Sequence, residues 1–148
     1  MPSVLHLAPH PDDEALAACG TLLQLRDAAW NVVNLACSLG RVARAARRRE
    51  ELVEACGRAG FELRTTAEPV ALSSDDDLAL AERRLVHEIG LQLQDLSPEL
   101  VVGPSPHDGH HGHEVVGRAT RLAIEALPAG SRPRWWMWER GTDGDPLR

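Results

Sequence analysis

With 148 residues, 43% of them hydrophobic, the chain is long enough to bury a core and short enough to form one domain spanning residues 1–148. A net charge of −6, with no basic run beyond Arg41–Arg49, argues against general nucleic-acid binding, which needs many cationic phosphate contacts. No apolar run approaches a membrane span, and the first strand begins too early for a signal peptide. The scattered Cys19, Cys37 and Cys56 fit neither a disulfide framework nor a zinc knuckle, so buried inert thiols and a cytoplasmic location are expected.

Strand and helix signals then alternate. Ser3–Leu7 reads as a short buried strand, and Asp13 to about Ala28 as a helix with acidic residues in its first turn, where the helix dipole favours them. Asn31–Cys37 reads as a second strand, followed by an Arg/Ala/Glu-rich helix over Arg41–Ala59 that Gly60 stops. Phe61–Leu72 is a third, less regular extended segment interrupted by Pro69. The polar loop Ser73–Asp77 leads into a helix over Leu78–Leu96, which Pro98 breaks. Leu100–Gly103 is a fourth strand, a His-rich loop follows, and a helix runs from about Gly112 to Leu127. Arg134–Trp138 is a fifth strand, whose alternation places Trp136 and Trp138 on one face and Trp135 on the other. Strands separated by helices of this length predict an α/β fold: a Rossmann-like, open, mostly parallel sheet with helices on both faces. Ligands of such sheets sit beyond the carboxyl ends of the strands, where strand order reverses.

Two clusters of potential ligands follow strands. After the first come His10, Asp12 and Asp13, with Pro11 stiffening the turn; after the fourth come Asp108, His110, His111 and His113. A hydrolytic zinc site takes three protein ligands and keeps one position for water. His10 and Asp13 offer an imidazole and a carboxylate three residues apart, and His113 is the best third ligand. Asp12, pointing differently, is placed to accept a proton from the activated water, and His110 to donate to an oxyanion or a leaving amine. His107 and His111 are the alternates if this register is wrong. Either cluster alone has a plain explanation, as a helix N-terminus or as a solvated loop. Together, at the ends of two strands that an open sheet makes neighbours, they point to one divalent ion per chain.

Pro9-His10-Pro11-Asp12-Asp13-Glu14 after a first strand resembles the signature of the LmbE-like, or PIG-L, zinc-dependent N-acetylglucosaminide deacetylases. Asp108-x-His110-x-x-His113 resembles that family's second motif, and Arg48-Arg49-Glu50-Glu51-Leu52 its second helix. The resemblance implies His10, Asp13 and His113 as zinc ligands, Asp12 as general base, His110 as stabiliser of the tetrahedral intermediate and Arg48 as a substrate contact. It implies hydrolysis of the N-acetyl amide of an amino sugar or glycoside, with a trimeric or hexameric homo-oligomer as the common assembly. Two departures stand out. The family's second motif usually reads His-Pro-Asp-His, whereas here the middle is His111-Gly112, without the carboxylate that would orient His110; Asp108 and Glu114 are the nearby substitutes. Family members also usually continue well past the Trp-rich strand, so the chain is expected to lack the usual C-terminal portion. The rival expectations are a non-catalytic metal- or ligand-binding α/β domain, and a two-metal phosphoesterase. A nucleotide-binding domain is disfavoured because no glycine-rich loop follows the first strand.

Overall fold

The computed structural model describes residues 1–10 and 18–139. Five strands, β1 (Ser3–Ala8), β2 (Asn31–Ala36), β3 (Glu62–Thr65), β4 (Leu100–Pro104) and β5 (Arg134–Trp138), form one sheet. Their order is β3-β2-β1-β4-β5 and every pairing is parallel. Four helices connect them among the described residues: α1 (Cys19–Asp27), α2 (Val42–Ala59), α3 (Leu78–Leu96) and α4 (His111–Glu125). The expected α/β class is therefore the observed one.

The helices divide between the two faces because strand residues alternate. Leu5, Leu7, Val33, Leu35 and Val101 face the core shared with α3 and α4, and Trp135 packs against it. Val4, Val32, Leu100 and Val102 face the other way, onto Ala18 and Leu22 of the α1 region, with Trp138 beside them. Each fully buried Leu or Val contributes roughly 1.5–3 kcal/mol of transfer free energy, so both layers hold the sheet in register. The chain order then makes β1 and β4 neighbours at the centre, where successive connections leave in opposite directions.

Local chemistry sets the boundaries. Gly60 ends α2 in the left-handed region (φ 75°), which glycine adopts at no steric cost, and its amide bonds back to Gly57 O. The Asp77 carboxylate accepts the Leu80 amide at 3.0 Å and opens α3, as a turn-type aspartate should. Two expected boundaries are redrawn, and a third falls outside the described residues. The third extended segment pairs only over Glu62–Thr65, because the Ala67 and Glu68 amides donate to the buried Glu88 carboxylate on α3 instead of to a strand. The last helix runs His111–Glu125, and the first is described from Cys19, so the Asp13 start lies outside the described residues. No helix among the described residues is long and apolar enough to cross a membrane.

Candidate metal centre

His10 follows β1 by two residues, and the loop after β4 carries Asp108, His110 and His113 into the first turn of α4. Because β1 and β4 pair side by side, His10, His110 and His113 converge at the carboxyl edge of the sheet. One ligand atom from each lies within 4.8 Å of the others. The ring centroids are 5.6 Å apart for His10 and His113, 5.3 Å for His10 and His110, and 4.4 Å for His110 and His113.

Hydrogen bonds divide the labour among these rings. His113 is fully buried, and its Nδ1 lies 2.9 Å from Oδ2 of the buried Asp108. A carboxylate only accepts, so Nδ1 carries the proton and Nε2 presents its lone pair. That carboxylate–histidine arrangement is the one that fixes ring orientation and raises basicity in metal ligands. At His110 the polarity is reversed: the Gly112 amide donates to Nδ1 at 3.2 Å, capping α4. The proton of a neutral His110 therefore sits on Nε2, which makes that nitrogen a donor rather than a ligand. Of the two substitutes expected to orient His110, Asp108 is taken by His113, and Glu114 accepts the Gly109 amide at 3.2 Å. The Gly112 amide bonds the nitrogen a carboxylate was expected to bond, but as a donor, so it orients His110 without raising its basicity.

Two glycines make the close packing possible. A Cβ on Gly112 would lie 2.7 Å from His10 Cε1 and 3.0 Å from its Nε2, so the bare backbone forms the cradle against which His10 rests. A Cβ on Gly117 would meet Pro106 N at 2.5 Å and Ser105 C at 2.6 Å, so only glycine lets α4 lie directly on the loop that carries Asp108. The donor set suits zinc. His10 and His113 supply imidazole nitrogens of the kind zinc takes, and their ligand atoms lie within 4.8 Å of each other.

The remaining expected residues distribute as follows. Asp12 and Asp13 lie outside the described residues. Arg48 is half-buried on α2, with its Nε 3.6 Å from the position a Cβ would take on Gly40, in the turn after β2 and on the same edge of the sheet. His107 is exposed and outside the cluster, while His111 stacks on His110 at 4.4 Å. Sequence reasoning missed the Asp108–His113 pair, because four histidines lie within a few residues of Asp108 and spacing does not choose among them. It placed Trp138 only on a face of the fifth strand. The structure sets the indole edge-on to His113 at 5.4 Å and 84°.

A second histidine is buried nearby for a different purpose. His6 and Asn34 are cross-strand partners in the β1–β2 register, and His6 Nδ1 meets Asn34 Oδ1 at 2.6 Å. Burial pushes the His6 pKa down to about 4, against the opposing effect of the Asn34 bond. Burial raises the Cys56 thiol, with an Asn34 hydrogen bond acting the other way. Cys37 and Cys56 are buried and Cys19 is half-buried, in line with inert thiols.

A parallel doubly wound sheet with imidazoles gathered at its switch point defines an α/β domain whose edge offers side chains that could hold a metal ion. Residues 5–124 match the family described as PIG-L: GlcNAc-PI de-N-acetylase, and the chain belongs to that family. It is 32% identical over 146 residues to a probable N-acetyl-alpha-D-glucosaminyl L-malate deacetylase 2 of Bacillus cereus, covering 88% of this chain. The chain spans 64% of the length of that curated relative. Among solved structures, the N,N'-diacetylchitobiose deacetylase of Pyrococcus horikoshii superposes with a TM-score of 0.70 at 20% identity, over 92% of this chain and 60% of that one. The 4-carboxy-2-hydroxymuconate hydratase of Pseudomonas putida superposes with a TM-score of 0.68 at 18% identity, over 90% and 60%. One fold thus carries both amide hydrolysis and hydration, so the reaction must be argued from the site.

Proposed function

We propose that the chain is a zinc-dependent N-deacetylase that hydrolyses the N-acyl amide of an amino sugar or glycoside. The observation that supports it most is the meeting of His10 with an Asp108-oriented His113 at the β1/β4 switch point. Family membership and the deacetylase relative supply the reaction class.

His10, Asp13 and His113 would hold the ion. When bound, Zn2+ supplies Lewis acidity, polarising an amide carbonyl and bringing the pKa of water to about 7. Asp12, next to Asp13 in sequence, takes the proton as water adds to the carbonyl carbon. His110, with its proton on Nε2, donates to the carbonyl oxygen as negative charge develops there. The C–N bond then breaks, the amine leaves with the proton that Asp12 received, and acetate is the second product. Arg48, on the same edge, contacts the sugar or its substituent.

The test measures metal content and amine release together, using N-acetylglucosamine, N-acetylglucosaminyl malate and diacetylchitobiose as substrates. About one zinc per chain and chelator-sensitive amine release are expected. Asp12→Ala should keep the zinc and lose turnover by about a thousandfold, within the roughly 10²–10⁴ range typical of a single acid–base group. Stoichiometric zinc with no amine release from any substrate would favour the rival reading, a metal-binding domain without catalysis. Amine release that survives complete zinc removal would defeat the proposal.

A further inference from the structure

We propose that Trp138 is a positioning residue for His113, held in place by a hydrogen bond from its indole Nε1–H to Nε2 of His6. The inference rests on the reading of His113 as a metal ligand and adds what fixes that ring on the side away from Asp108.

Trp138 ends β5 opposite Pro104 of β4, and its carbonyl accepts the Ser105 amide at 2.9 Å. Its backbone is therefore tied to the start of the loop that carries Asp108, His110 and His113. The indole touches two histidines at once: His113 edge-on at 5.4 Å, and His6 at 6.4 Å with the planes inclined by 35°. Asp108 fixes the Nδ1 side of His113, and the indole is the wall that sets the plane of the ring.

The His6 link follows from hydrogen-bond accounting. Asn34 Oδ1 can only accept, so the bond at 2.6 Å places the His6 proton on Nδ1 and leaves a lone pair on Nε2. His6 is 2% exposed, and its depressed basicity keeps the ring in this neutral form. Indole Nε1 can only donate. Among the described residues, His6 Nε2 and Trp138 Nε1 are both buried and neither has a hydrogen-bond partner. Buried polar groups are almost always paired, and these two are complementary in polarity and belong to rings whose centroids lie 6.4 Å apart. The bond completes a chain from Asn34 through His6 and Trp138 to His113, which crosses β2, β1, β5 and α4.

Plain core packing predicts something different: phenylalanine at 138 would keep most of the apolar contact and leave metal binding unchanged. The experiment combines NMR of the full chain with zinc competition titrations. In the metal-free protein, the Trp138 indole proton should exchange slowly and lie downfield, and His6→Gln, which keeps an acceptor, should preserve this better than His6→Leu. Trp138→Phe should weaken zinc binding about tenfold, in the range seen when groups behind metal ligands are removed, with little change in Tm. Rapid indole exchange in the wild type, or unchanged zinc affinity in Trp138→Phe, would overturn the proposal. If the wild type binds no zinc, the reading of the site fails instead. The indole exchange and the His113 ring shifts in Trp138→Phe then still decide whether Trp138 positions that ring: altered shifts uphold it, identical shifts refute it.

Discussion

The interior of β1 and the first turn of α4 each bury one histidine almost completely, and the two differ in what holds the ring. His6 is paired with the amide oxygen of Asn34, and His113 with the carboxylate of Asp108. The Asn34 amide favours a charged ring only weakly, so burial dominates and His6 stays neutral, with a pKa of about 4. A carboxylate orients its partner and adds electron density to the opposite nitrogen, which suits a ligand. Equal burial thus yields a structural residue in one place and a candidate metal ligand in the other, and the partner decides between them.

The harshest way to break the contrast is His113→Ala. It should remove stoichiometric zinc and with it all chelator-sensitive turnover, read by elemental analysis after gel filtration. Next comes Gly117→Ala, which drives a methyl group into the Ser105–Pro106 backbone and should cost about 3 kcal/mol in chemical denaturation, at the upper end of overpacking effects. The His6 side is tested by pH. Its folded pKa of about 4 lies below the ordinary 6.5, so between these values the unfolded chain binds the additional proton. This contribution to stability is complete above pH 6.5 and is lost as pH falls toward 4, by about 3 kcal/mol at 1.36 kcal/mol per unit. Urea unfolding at pH 7 and pH 4.5 should show the loss, and His6→Gln should lack that part of it. The finest test is Asp108→Asn, which gives His113 the same kind of partner as His6. Zinc affinity should fall by about 10–100-fold in competition titrations while the fold persists.

Much of this was legible from residue order. The periodicity of β1, β2 and β4 and the punctuation by Gly60, Asp77 and Pro98 follow from local chemistry, and together with the strand order of an open parallel sheet they place His10 and His113 at neighbouring strand ends. The alternation of Trp135 and Trp138 between sheet faces was readable for the same reason. What escaped depends on tertiary choice. The segment after Thr65 looked extended, but a carboxylate twenty residues away captured its amides. Asp108 could have served several histidines, and only the geometry of the loop on α4 gives it to His113. The His6–Asn34 pair did leave a trace, since each is the lone polar residue inside an apolar strand core, yet their pairing needs the β1–β2 register.

The most direct test of the central claim is a crystal structure of the zinc-loaded protein with anomalous data at the zinc edge. The account predicts one anomalous peak per chain, at about 2.0–2.1 Å from Nε2 of His113 and bonded also to His10, with His110 Nε2 turned toward the open position and not bonded to the ion. A peak that coordinates His110 in place of His113, or that lies away from the β1/β4 edge, would contradict it.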